Sequence, residues 1–199
     1  MIIEIMVKIA RKNKLVKAGL TSLDTNRIRD ILRVIEPLLS TGERLLDIGS
    51  GVGNLAKVLI EKGYAVTTCD IKNISLFEEI QPIIIKDKLP FEDKSFTTSM
   101  LITVLHHTKN PKEILKEAKR VSDRIIIMED TYKTTVQRFL TLFMDSLVNL
   151  EFVGHPHTNK SEEEWEETFK DLGLVVLNKS SHHFWKFFTS TTYLLGTEI

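Results

Sequence analysis

Leu45-Leu46-Asp47-Ile48-Gly49-Ser50-Gly51-Val52-Gly53-Asn54 carries an apolar strand straight into a loop with glycine at alternate positions, and then into a helix. Glycines at the end of a strand leave out Cβ atoms, so a ligand can approach the main-chain N–H groups and left-handed turns cost little. Asp47 stands just before them. A carboxylate there suits a ligand with an ammonium group and opposes the pyrophosphate that a dinucleotide loop must hold. The third glycine, Gly53, also arrives one place early for Gly-x-Gly-x-x-Gly, which leaves a dinucleotide cofactor as the minor alternative. A plain strand-to-helix turn in another α/β fold is the structural alternative.

Outward from the loop, residues 44–48 read as a strand, 55–62 as a helix stopped by Gly63, and 64–69 as a second strand ending at Asp70. Further strands are predicted at 83–86, 96–101 and 124–128, with a helix opening at Asn110-Pro111. Ser161 and Glu164 have the spacing of a capping box, opening a helix that ends at Leu172-Gly173. Residues 174–177 and 184–195 follow as an edge hairpin with one antiparallel strand, and His182-His183 falls between them as a solvated pair. The alternation predicts a Rossmann-like α/β fold: a mostly parallel seven-stranded sheet, helices on both faces and the ligand at the carboxyl ends of the strands.

Towards the N-terminus, Ile2, Ile5, Met6 and Ile9 recur at helical spacing, with Arg11, Lys12, Lys14 and Lys17 after them and Gly19 as a stop. This basic amphipathic helix is expected to pack over the ligand site; a membrane surface or a partner is the alternative. Asp24 reads as the cap of a second helix running to about residue 39. Beyond the fifth strand, residues 134–150 read as a long helix with a broad apolar face, followed by the loop Gly154-His155-Pro156-His157-Thr158-Asn159-Lys160.

The 199 residues, 42% apolar and 27% charged, predict one domain over 1–199, in which 1–40 supplies N-terminal helices and 131–173 covers the substrate. Lys plus Arg and Asp plus Glu number 27 each, so nothing electrostatic favours nucleic acid as a partner. The lone Cys69 excludes an internal disulfide and fits a reducing, cytoplasmic setting. No transmembrane stretch appears, and Glu4 and Lys8 spoil the apolar start as a signal peptide.

Asp70 is placed to accept hydrogen bonds from both hydroxyls of a ribose, and Asp87, after the third strand, from an exocyclic amine such as adenine N6. An ammonium, a ribose and an adenine make S-adenosylmethionine the expected cofactor. The ordered series LLDIGSGVG, CDIK, KDKLPFEDKSF, LHHTKNPKEILKEAKRV and IIIMED resembles the class I S-adenosylmethionine-dependent methyltransferases, in the type 11 branch that includes quinone-pathway enzymes. The resemblance covers residues 45–130. It implies that Asp47, Gly49 and Gly51, with Ser50 and Gly53, line the methionine end; that Asp70 and Ile71 hold the ribose; that Lys86, Asp87 and Lys88 border the adenine; and that Ile102 and Thr103 lie beneath the sulfonium. Thr97 departs from the family's Ser-Phe-Asp pattern at a position that starts a strand.

The function implied is methyl transfer to a small-molecule or lipidic acceptor. Residues Phe139, Leu142, Phe143, Leu147 and Phe152 are expected to form an apolar ceiling over a partly hydrophobic substrate. Candidate bases are His107, His155, His157, Asp130 and Tyr132. No metal is expected: two histidines at 155 and 157 are too few, although a metal-assisted enzyme drawing on Glu129 or Asp130 stays open. The other alternative is a non-catalytic methyltransferase-fold module that binds the cofactor or a partner protein.

Overall fold

Seven strands form one mixed sheet: β1 (Arg44–Ile48), β2 (Ala65–Asp70), β3 (Ile83–Ile84), β4 (Phe96–Ile102), β5 (Ser122–Thr131), β6 (Leu174–Phe184) and β7 (Phe188–Thr197), in the order β3-β2-β1-β4-β5-β7-β6. The computed structural model describes residues 2–132, 159–184 and 188–197. The expected helix over 134–150, its apolar ceiling and the histidines at 155 and 157 lie outside those residues. β1 runs parallel to β2 and to β4, and β2 parallel to β3. Both antiparallel pairings belong to β7, which lies between β5 and β6. Four consecutive residues of β1 are buried, the signature of a strand covered on both faces.

The chain divides into two compact units, Met1–Met100 and Leu101–Ile199. In the first, α1 (Ile2–Lys12) and α2 (Lys14–Ile35) precede β1, and α3 (Asn54–Glu61) follows the glycine loop. The second helix starts well before Asp24. Asn13 is its cap, accepting from the N–H groups of Leu15 and Val16, so Gly19 and Asp24 both fall inside α2. The roughly 1 kcal/mol that a mid-helix glycine costs is not enough to stop a helix so capped. The Asp24 carboxylate instead accepts from the Asn54 side chain at 2.8 Å.

Of the apolar stripe expected to pack from the N-terminal helix, Ile5, Met6 and Ile9 face outward. Val7 and Ala10 enter the core, against Ala56, Leu76, Phe77 and Ile80, while Ile5, Met6 and Ile9 stay exposed. Arg11 fixes the helix to the segment after β2, donating to the Ser75 carbonyl at 2.8 Å and to the Asn73 side chain at 2.7 Å. The α1 helix therefore packs against residues 73–80, with Ile5, Met6 and Ile9 turned away. The third strand is two residues long, shorter than the expected 83–86, because Lys86–Lys88 bends away; Ile85 N–H still donates to the Asp70 carbonyl.

In the second unit, α4 (Pro111–Val121) begins after Asn110, whose side chain makes no cap bond, and leads into β5. The capping box at Ser161 and Glu164 is present in full and opens α5 (Glu162–Asp171). Trp165 and Phe169 from α5 are fully buried; the Phe169 ring meets Tyr193 of β7 edge-on at 5.1 Å. His182 and His183 are not between strands. They lie in β6, opposite Ser190 and Thr189, with a bulge near Asn178 adjusting the register. Ladder pairing with β7 extends the strand through a run too polar to be recognised by composition.

Candidate functional site

In the first unit, Gly49, Gly51 and Gly53 all take left-handed φ, of 76°, 55° and 82°. The loop folds back onto the end of β2. Gly49 and Ser50 N–H both donate to the Cys69 carbonyl, at 2.8 and 3.2 Å, Gly51 N–H to Asp70 Oδ2 at 2.9 Å, and Gly53 N–H to the Ser50 carbonyl at 3.0 Å. These four N–H groups, expected to face a ligand, are thus used inside the protein. What the glycines offer is space: a Cβ at Gly51 would meet nothing within 4 Å. A loop whose amides are occupied is a poor cradle for pyrophosphate, which weighs against a dinucleotide.

Asp47 is buried, and its Oδ2 has no hydrogen-bond partner. Burial, and then the charge of Asp70, push its carboxyl up from the usual 3.8 to about 7. A buried carboxylate oxygen without a partner costs stability unless a donor or cation arrives. Asp70, half-buried at the end of β2, accepts from Gly51 N–H and, through Oδ1, from Lys72 N–H at 3.2 Å. A carboxylate has about four acceptor positions, so two remain for hydroxyls. Ile71 is 71% exposed beside it, and Lys86, Asp87 and Lys88 are exposed in the bend after β3. Cys69 is buried, and burial pushes its thiol up to about 12, so it is unreactive.

In the second unit, Ile102 ends β4 and Thr103 follows with φ 55°. A left-handed backbone is strained for a β-branched residue and persists only where its surroundings enforce it. Thr103 N–H donates to the Met128 carbonyl at 2.7 Å. Next along β5, Glu129 is fully buried; its Oε1 accepts from Val104 and Leu105 N–H at 2.9 and 2.7 Å, and its Oε2 meets Nδ1 of buried His106. This carboxylate staples the turn that follows Thr103 and holds His106. It is not turned outward as a metal ligand, and among the described residues no group of three His, Cys, Asp or Glu side chains is placed to hold a metal.

The sequence reading offers Glu129 only as a carboxylate for the metal-assisted alternative and does not foresee its pairing with His106. The available signal was an acid in the apolar run IIIMED, since a buried carboxylate needs donors. His107, a candidate base, packs its ring 3.9 Å from that of His106 and is half-buried. The Tyr132 hydroxyl donates to Glu164 Oε2 at 3.0 Å, tying the end of β5 to the capping box of α5. Asp130 is half-buried in β5, opposite Ser190. Neither His155 nor His157 belongs to the described residues.

The sequence model of a methyltransferase domain matches residues 46–124. A demethylmenaquinone methyltransferase of Tropheryma whipplei is 26% identical over 149 residues, which cover 65% of this chain and 62% of that protein. Among solved structures, an S-adenosylmethionine-dependent methyltransferase of Methanosarcina mazei superposes with a TM-score of 0.62 at 17% identity, covering 83% of this chain and 97% of that one. The magnesium protoporphyrin IX methyltransferase of Synechocystis, with S-adenosylhomocysteine bound, gives 0.59 at 19% identity, covering 94% and 88%. Residues 46–124 thus match a methyltransferase domain, and the likeness to these solved structures gives the chain their Rossmann-like fold.

Proposed function

We propose that this protein transfers a methyl group from S-adenosylmethionine to a small-molecule or lipidic acceptor. The observation that carries the reading is Asp47: a buried carboxylate with a partnerless oxygen, just before an open glycine turn. An ammonium group supplies the missing donor and the positive charge that would hold Asp47 ionised at neutral pH. The two acceptor positions left on Asp70 suit the hydroxyls of a ribose, and the exposed Ile71 offers apolar surface next to it. Lys86, Asp87 and Lys88 border the adenine in this reading, while Ile102 and Thr103, the latter held in its strained turn, lie beneath the sulfonium.

When bound, the cofactor supplies an activated methyl group. The chain's own part is then to orient and to exclude water, since a near-attack distance of about 3 Å carries much of the acceleration. A base is needed only for an acceptor that bears a proton on its nucleophile. His107 and Asp130 are the candidates among the described residues, and His155 and His157 outside them. Tyr132 is engaged with Glu164 and serves better as an anchor. The lipidic acceptor class draws on the relative that acts on demethylmenaquinone. No helix among the described residues is long and apolar enough to cross a membrane.

Titration calorimetry tests the cofactor assignment. Asp70→Ala should weaken S-adenosylmethionine binding by about 1.5 to 3 kcal/mol, roughly 10- to 150-fold. Unchanged affinity would overturn the assignment. Labelled S-adenosylmethionine incubated with cell extract should then mark a small-molecule or lipid fraction; label confined to protein or nucleic acid would overturn the acceptor class.

A further inference from the structure

On the outward side of α1, Ile5, Met6 and Ile9 are 53%, 42% and 52% exposed, and Leu15, in the first turn of α2, is 85% exposed. Single exposed aliphatics are ordinary, but Ile5, Met6 and Ile9 share one side of α1, and Leu15 adds a fourth at the start of the next helix. Lys8, Lys12 and Lys14 stand exposed beside them. The one acid in the segment, Glu4, pairs with Lys72 at 3.1 Å, and Arg11 is occupied by Ser75 and Asn73. The outward face is thus aliphatic and cationic, on a protein whose acidic and basic residues balance at 27 each. Its other face is locked into the core by Val7 and Ala10, so the patch is held ready in its helical form.

We propose that this face of α1 and the start of α2 docks on an anionic lipid bilayer. The aliphatic side chains would enter the boundary of the acyl region, and the lysines would lie at the level of the phosphates. The composition selects lipid over protein: protein interfaces favour aromatic residues and arginine and are poor in lysine, whereas this patch has lysine and no aromatic residue. The inference stands apart from methyl transfer, because it rests on α1 and α2 alone.

Co-sedimentation of the full chain with vesicles tests it, comparing phosphatidylcholine alone with phosphatidylcholine mixed with phosphatidylglycerol. The wild type should sediment with the anionic vesicles and be released by salt. Lys8→Ala combined with Lys12→Ala should reduce partitioning about 25-fold, at roughly fivefold per cation. Ile5→Ser combined with Ile9→Ser should abolish it with an unchanged circular dichroism spectrum and melting temperature, since both side chains are already in water. Equal binding to neutral vesicles, no binding, or binding that neither double variant alters would overturn the proposal. So would a dimer that Ile5→Ser with Ile9→Ser dissociates, which would give the face to a second copy of the chain.

Discussion

Replacing Asp47 by Asn removes a charge that the folded protein holds at a cost. The carboxyl titrates near 3.8 when exposed and near 7 in place, with burial the larger cause and Asp70 the second. The folded state therefore keeps its proton over a range where the unfolded chain has lost it. Stability is fully present below about pH 4 and is lost as pH rises towards about 7, after which it levels off. A shift of about three units corresponds to about 4 kcal/mol. Asn keeps the shape but leaves its amide without a partner, a roughly constant penalty of about 1 to 3 kcal/mol. The quantity to measure is therefore the change in the stability difference. Between pH 4 and pH 8 it should move by about 3 kcal/mol in favour of Asp47→Asn, read from urea unfolding of both proteins without cofactor. Cofactor binding should show the reverse preference: in the wild type, affinity should rise about tenfold per pH unit up to about pH 7, and the variant should bind weakly at every pH. Stability curves that stay parallel for the two proteins across this range would refute the reasoning, because they would mean that Asp47 carries no buried charge.

Gly53→Ala places a Cβ 3.0 Å from the Ser75 hydroxyl oxygen in a backbone of φ 82°. It should lower stability by about 1 to 3 kcal/mol, seen as a lower melting temperature; an unchanged melt would mean that the loop can relax. Glu129→Gln keeps the acceptor for Val104 and Leu105 N–H but removes the charge, and should cost about 1 to 3 kcal/mol in urea unfolding. Glu129→Ala leaves both N–H groups and His106 without it and should cost about 3 to 5 kcal/mol. Equal small losses for the two variants would show that the staple carries little energy.

The strand, glycine loop, helix and second strand around Asp47 were legible in the sequence because each boundary is set by local chemistry: an apolar run, left-handed glycines and a helix stop. The capping box at Ser161 was legible for the same reason. The N-terminal stripe shows where such reasoning fails. Periodicity says that Ile5, Met6 and Ile9 share a face, but which face of α1 packs is decided by Leu76, Phe77 and Ile80, far along the chain. The long β6 escaped notice because Ser180, Ser181 and His182 owe their strand conformation to β7. In the candidate site, Asp47 and Asp70 announced themselves by position. The internal use of the loop's N–H groups and the Glu129–His106 pair did not, since both depend on which backbone donors the fold brings within reach.

Among the described residues β7 is the last strand in sequence, yet it lies between β5 and β6. Every strand-to-strand hydrogen bond that joins β6 to β5 through the sheet must wait for residues 188–197 to be synthesised. Until then, β5 and β6 each present an unpaired edge, the kind of edge that recruits strands from other chains. Folding of this half of the sheet is therefore coupled to the arrival of residues 188–197, and a chain cut before residue 188 would lose the strand that joins β5 to β6, not an outer strand that the sheet could spare.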